Sequence, residues 1–210
     1  KYEVNKAKVI LEKKNINLDD DIVCFTARST HFKNEKTETS RNSNILNQLK
    51  GIKYLTTRGY KAARLGKNEL VELKKENQNI IDFSFSKDRS DFIDCFLVSK
   101  CKFFISASSG INEMATIMRK KKLVIDFIDF DNFYAQNPNT IPIILPKKIF
   151  SKKTNKLISY QNIFKRNFKT EINNLQSLKN SELLLVDNTE DEIEKAIINM
   201  YRFINNELDL

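Results

Sequence analysis

The chain has 210 residues, with 36 Lys and Arg against 27 Asp and Glu, a net charge of +9, and 40% hydrophobic residues, Phe alone contributing 15 positions. These figures exclude wholesale disorder and leave room for one substantial core that needs neither disulfides nor a structural metal, while the positive balance suits anionic ligands. Cys24, Cys95 and Cys101 lie beside apolar residues without metal-ligand spacing, and His31 is the one histidine. A metal site is therefore not expected, and the thiols read as buried in a reducing compartment. No run approaches the roughly 18 apolar residues of a membrane span, and there is no signal-peptide pattern at the start.

Residues 2–14 carry Val4, Ala7, Ile10 and Leu11 at helical spacing, so 1–21 reads as an N-terminal helix and linker ahead of an α/β domain over 22–210. The chain begins at Lys1 without a Met, as a fragment or processed product would. A β-prone run at 22–27 ends in Arg28-Ser29-Thr30-His31, and 31–43 is a polar stretch without periodicity, expected as a long loop. A helix at 44–57 is closed by Arg58-Gly59. Short strands follow at 60–65, running into Gly66, and at 80–84. Next come a helix at 91–99, a strand at 101–107, a helix at 111–119 and a strand at 123–127. Apolar strands alternating with helices predict a doubly wound, Rossmann-like parallel sheet. Residues 132–180 hold all three prolines and the basic stretch 147–169, and read as an irregular segment with one or two short helices. Residues 183–186 suit a last strand or edge. Thr189 and Glu192 form a capping box for a closing helix over 190–205.

The stretch from Ser106 to Glu113 carries the most chemistry. Ser108, Ser109 and Gly110 join a buried strand to a helix start, where free N–H groups and the positive helix end suit a diphosphate; the alternative is that Ser109 merely caps the helix and Gly110 eases a turn. Arg28 and Arg64 end the first two strands and are candidates to converge on the same crevice with planar forks for phosphate, although strand-end arginines are also common surface residues. Arg41 and Asn42 close the polar loop and either clamp a ligand or serve as a solvated residue and a cap. Glu113 is a candidate for ribose hydroxyls or a helix-dipole residue. His31, with Arg28, is a weak candidate for catalysis. Asp91 and Asp94 share a helix face, which suggests carboxylate chemistry or simply a helix start. No dinucleotide fingerprint, P-loop or nucleophile elbow occurs. The basic stretches 119–122 and 147–169, interleaved with Phe150, Tyr160, Phe164 and Phe168, raise nucleic acid or an anionic membrane surface as partners, against a plain solvated face; no recognition module for specific nucleic acid accompanies them.

The order Cys24-Phe25-Thr26-Ala27-Arg28, Arg41-Asn42, residues 58–66, Ile80-Ile81-Asp82-Phe83, Asp94-Cys95-Phe96-Leu97, residues 101–105 and Ser108-Ser109-Gly110 resembles a family of bacterial glycosyltransferases associated with surface polysaccharide synthesis, over about 22–127. The resemblance implies the nucleotide-sugar-binding half of a GT-B glycosyltransferase. It also implies a nucleotide diphosphate sugar held by Arg64 and the Ser-Ser-Gly turn, with Arg28, Arg41 and Asn42 near donor or acceptor. No separate cofactor or metal is implied. The acceptor would be a glycan or lipid-linked, and the location cytoplasmic, at the inner membrane face if the anionic surface is bound. Family members have a further N-terminal region, so a missing domain or partner subunit is expected here. They also tend to have Asp where this chain has Ser29, so no catalytic carboxylate carries over. The rival readings are a non-catalytic nucleotide or phosphosugar-binding module that needs a partner chain, and a basic nucleic-acid-binding protein.

Overall fold

The computed structural model describes residues 2–28, 40–67, 69, 71–73, 77–128, 140, 143–165 and 182–208. Six strands, β1 (Ile22–Phe25), β2 (Lys61–Arg64), β3 (Ile80–Asp82), β4 (Phe103–Ser106), β5 (Lys121–Phe127) and β6 (Ile143–Pro146), pair in parallel in the order β3-β2-β1-β4-β5-β6. The order reverses between β1 and β4, which opens a crevice beyond their carboxyl ends. The helices are α1 (Tyr2–Glu12), α2 (Leu49–Thr56), α3 (Asp91–Lys100), α4 (Gly110–Ile117), α5 (Tyr160–Lys165) and α6 (Glu190–Ile204).

The central strand Ile22-Val23-Cys24-Phe25 is apolar throughout because helices cover both faces. Val23 and Phe25 meet Ile52, Leu55, Ile193 and Ile197 of α2 and α6. Ile22 and Cys24 meet Ala7, Leu11, Ile93, Leu97 and Ala115 of α1, α3 and α4. Residues 1–21 are thus tied in by α1 and by Ile16, which is fully buried. Two helices approach closely at Gly51, where an added Cβ would stand 2.5 Å from Ile197 Cδ1 and 3.2 Å from the backbone of Glu194. The capping box at Thr189 is formed, with Glu192 returning a bond to the cap backbone.

The segment expected to be irregular is more ordered within its described part. Beyond β6 it holds β7 (Lys148–Ser151), β8 (Lys156–Ile158) and α5, and β9 (Leu183–Val186) completes a second sheet, antiparallel, in the order β8-β7-β9. Strands of three or four residues split by lysines show too few alternations to register as a period. Asp126, fully buried with φ 48°, accepts hydrogen bonds from Ser43 Oγ and from the Asn188 N–H (2.8 Å). The left-handed conformation is one an aspartate tolerates, and it coincides with a register shift between Ile125 and Phe127. Among the described residues no helix is long and apolar enough to cross a membrane.

Candidate functional site

Two chambers open at the carboxyl edge of the six-stranded sheet and share Ala27, Arg28 and Glu69 as a common wall. The first, about 260 Å³, lies over the end of β1 and the start of α4; its lining includes Lys67, Arg89, Asp94, Ser109, Gly110 and Met114. The second, about 290 Å³, lies toward the loop before α2 and is bounded by Asn42, Ser43, Arg64 and Asp187. Together they fall within the size range of small-molecule sites, about 300–1,000 Å³.

The strand-to-helix turn sits where the sequence predicts. β4 ends at Ser106, whose hydroxyl donates to the buried Asn112 Oδ1 at 2.8 Å, tying strand to helix across the turn. Ser109 is the N-cap of α4 with extended backbone, yet its side chain makes no capping bond and its buried Oγ has no hydrogen-bond partner. Gly110 has nothing within 4 Å of where a Cβ would stand, so its surface is open. Across the chamber Arg89 donates to Asp91 (2.7 Å) and Asp94 (2.9 Å), leaving buried Arg89 Nε and Asp94 Oδ1 without partners. Three buried polar atoms lacking partners thus belong to residues around one chamber, an arrangement that favours a polar ligand there.

Charge in the crevice is mixed. Burial, and after it the charge of Arg41, pulls the Arg28 guanidinium down from its ordinary value. A bound anion would relieve both effects. Burial pushes the Glu69 carboxyl above the usual carboxylate range against the pull of Arg64, and Asp94 likewise against Arg89.

Arg28, Asn42, Ser109 and Gly110 are brought to the crevice. Arg64 borders the second chamber but is only 1% exposed, and its guanidinium is already held by Asp82 (2.8 Å), Glu69 (3.2 Å) and the Val71 carbonyl. Where a phosphate fork was expected, the Arg64 guanidinium stands in a buried ion-pair network that ties Glu69 and Val71 to Asp82 of β3. Ser108 lines neither chamber. Arg41 is exposed beside Asn42 and also lines neither. Glu113 is exposed, bonded by Asn112 and Thr116, and turned away from the chamber. His31 lies outside the described residues. Lys67, Glu69 and Arg89 were not singled out from the sequence, whereas Asp91 and Asp94, read as a carboxylate pair or a helix start, both line the first chamber. Gly66 (φ 145°), two residues past the end of β2, is the local signal of a turn at the sheet edge there. Among the described residues no group of three or more His, Cys, Asp or Glu is placed to hold a metal.

No family model matches the chain, and no curated protein sequence matches it. Among solved structures it is similar to the dodecameric iron-containing heptosyltransferase TibC in complex with ADP-D-beta-D-heptose, at 15% identity and TM-score 0.45, over 89% of this chain and 46% of that one. A structure of the dodecameric iron-containing glycosyltransferase TibC from enterotoxigenic E. coli H10407 is similar at 14% identity and TM-score 0.45, over 90% and 48%. The chain spans about half the length of these solved chains.

Proposed function

We propose that the crevice binds the diphosphate of a nucleotide sugar and that the protein serves glycosyl transfer from it. The observation that carries this reading is the meeting of Arg28, Lys67 and the unpartnered Ser109 hydroxyl with the open N-terminus of α4, at the point where the strand order reverses. In transfer, the acceptor hydroxyl oxygen bonds to the anomeric carbon as the carbon–oxygen bond to the diphosphate breaks. The negative charge that develops on the leaving phosphate is met by Arg28 and the α4 amides. Glu69, on the wall between the chambers and raised by burial, is the carboxylate positioned to take the acceptor proton. Donor capture belongs to this chain in this reading. A second wall that excludes water and orients a glycan or lipid-linked acceptor would come from a further domain or subunit.

Calorimetry with nucleosides and nucleoside diphosphates tests it. The diphosphate should bind at least tenfold more tightly than the nucleoside. Arg28→Gln should weaken it about tenfold or more, as loss of one charge-assisted bond of roughly 1.5–3 kcal/mol requires. Gly110→Ala should keep the melting temperature, because nothing stands near the new Cβ, while weakening the diphosphate severalfold. Equal affinity for nucleoside and diphosphate, or diphosphate binding untouched by both substitutions, would refute the site.

A further inference from the structure

Among the described residues the second sheet has one covered face and one bare face. Ile149, Ile158, Leu183 and Leu185 turn inward and pack with Ile128 and Ile163. Alternation then sends Phe150 and its cross-strand partners Leu157 and Leu184 outward in a single row, with Val186 beside Lys148. Leu157 is 56% exposed, Leu184 44% and Val186 36%. A row of aliphatic side chains exposed to this degree on a sheet is unlike the scattered exposed apolar residues of an ordinary surface.

The charge around this row is of nearly one sign. Residues 143–165 contain six lysines and neither Asp nor Glu. Two of the six are neutralised from elsewhere: Lys147 by Asp187 and Lys148 by Glu192, each at 2.6–2.9 Å. Lys152 and Lys153, in the β7–β8 turn, and Lys156, next to Leu157, are exposed and have no acidic partner within ion-pair distance among the described residues. Glu182 is the acid opposite Lys152, its backbone carbonyl accepting from the Lys152 N–H.

We infer that the outer face of this small sheet docks on an anionic lipid bilayer, with Leu157, Leu184 and Val186 entering the headgroup boundary and Lys152 and Lys153 of the adjoining turn meeting lipid phosphates. The charge pattern selects this occupant. A second copy docked face to face would set lysine against lysine. A nucleic acid would satisfy the lysines but not the leucines and valine, which offer no flat ring for a base to stack on, Phe150 being half-buried. An apolar row with a basic rim is what an anionic membrane surface takes up. The inference is independent of what fills the crevice. It adds a geometric consequence: β7 follows Lys147, β9 leads into Asp187, and these two residues bond beside the second chamber, so docking brings that chamber close to the bilayer.

Co-sedimentation with vesicles at 0.15 M salt tests the inference, using phosphatidylcholine alone and phosphatidylcholine with 30 mol% (about one lipid in three) phosphatidylglycerol; each lysine at such a surface contributes about a fivefold partition factor. Binding should be confined to the anionic vesicles. The variant Lys152→Gln/Lys153→Gln should lose about twenty-five-fold and most of the salt dependence. Leu157→Ser/Leu184→Ser should lose about tenfold or more with the melting temperature kept, since both side chains are largely exposed. A single-stranded oligonucleotide, followed by anisotropy at the same salt, should bind more weakly than the anionic vesicles and be indifferent to the leucine changes. Failure to bind anionic vesicles, equal binding to neutral ones, unaltered binding by both variants, or an oligonucleotide preferred over the vesicles would overturn it. None of these readouts involves a nucleotide, so the outcome is separate from that of the crevice.

Discussion

Arg64→Met separates two roles for the same guanidinium. Arg64 is 1% exposed, and the carboxylates it holds, Glu69 and Asp82, are 8% and 9% exposed at 3.2 and 2.8 Å. Asp82 also accepts from the backbone N–H groups of Leu73 and Ser84, so the arginine holds the end of β3 and the 69–73 segment together. Removing the cation leaves two buried negative charges without a counter-ion, a defect that costs about 3–5 kcal/mol. For a chain of this length that is a fall in Tm of about 10 °C, at about 2–4 °C per kcal/mol. Thermal unfolding followed by circular dichroism reads it directly. Adding Glu69→Gln and Asp82→Asn to the same variant removes both uncompensated charges and should recover at least half of the loss. Burial already holds the Glu69 carboxyl above its ordinary value against the pull of Arg64, and without the arginine that pull is gone. The Glu69 share of the deficit is therefore full at pH values above its folded pKa and closes as pH falls toward about 4. A Tm within about 2 °C of the parent, together with a tenfold loss of nucleoside diphosphate affinity, would show that Arg64 meets ligand and that the buried-network reasoning is wrong.

Gly51→Ala gains helix propensity, at most about 1 kcal/mol, but drives a Cβ against Ile197 and the Glu194 backbone. A net loss of about 1–2 kcal/mol in urea unfolding is expected, partly recovered by Ile197→Val, and a stabilised variant would contradict the close approach of α2 and α6. Lys122 is 1% exposed, with Nζ on Thr116 Oγ1, and burial lowers its pKa from the ordinary lysine value. A lowered folded pKa means its contribution is most favourable above the unfolded value near 10.4 and falls as pH drops. Lys122→Met should therefore be at least as stable as the parent at pH 7 and lose that standing toward pH 10.5; a loss above about 1 kcal/mol at pH 7 would count against it.

The parallel sheet was legible because β1, β4 and β5 are apolar on both faces and each is bounded by a helical period or a turn. The place of Ser109 and Gly110 was legible because a strand-to-helix junction has one geometry whatever surrounds it. Arg64 lies deeper than its strand-end place suggested, for a reason of parity. In register with Phe25 and Asp82, it shares a sheet face with Ala62 instead of extending beyond the edge, and nothing local distinguishes a final strand residue from the first one past it. Helical rotation sets Glu113 apart: Gly110, Ile111 and Met114 line the chamber, while Glu113 and Ile117 are exposed. Lys67, Glu69 and Arg89 reach the crevice from segments without periodicity or motif, and only tertiary packing selects them. Of the second sheet only β9 was read, as a last strand or edge; β7 and β8 went unread because their alternation is too brief.

The bonds from Asp126 to Ser43 and Asn188 also set an order of assembly. Every residue around the first chamber lies between 26 and 114, so that half of the crevice can form while much of the chain is still unmade. The second chamber needs Asp187 and the anchored neighbour Asn188, about 70 residues later, an interval on the order of ten seconds at ribosomal speed. Its closure is a long-range loop contact between residues more than 140 positions apart, such as Asn47 and Asn188. On that timing a newly made chain carries the helix-α4 half of the crevice before it carries the other, and the arrival of Asp187 and Asn188 decides when the crevice becomes whole.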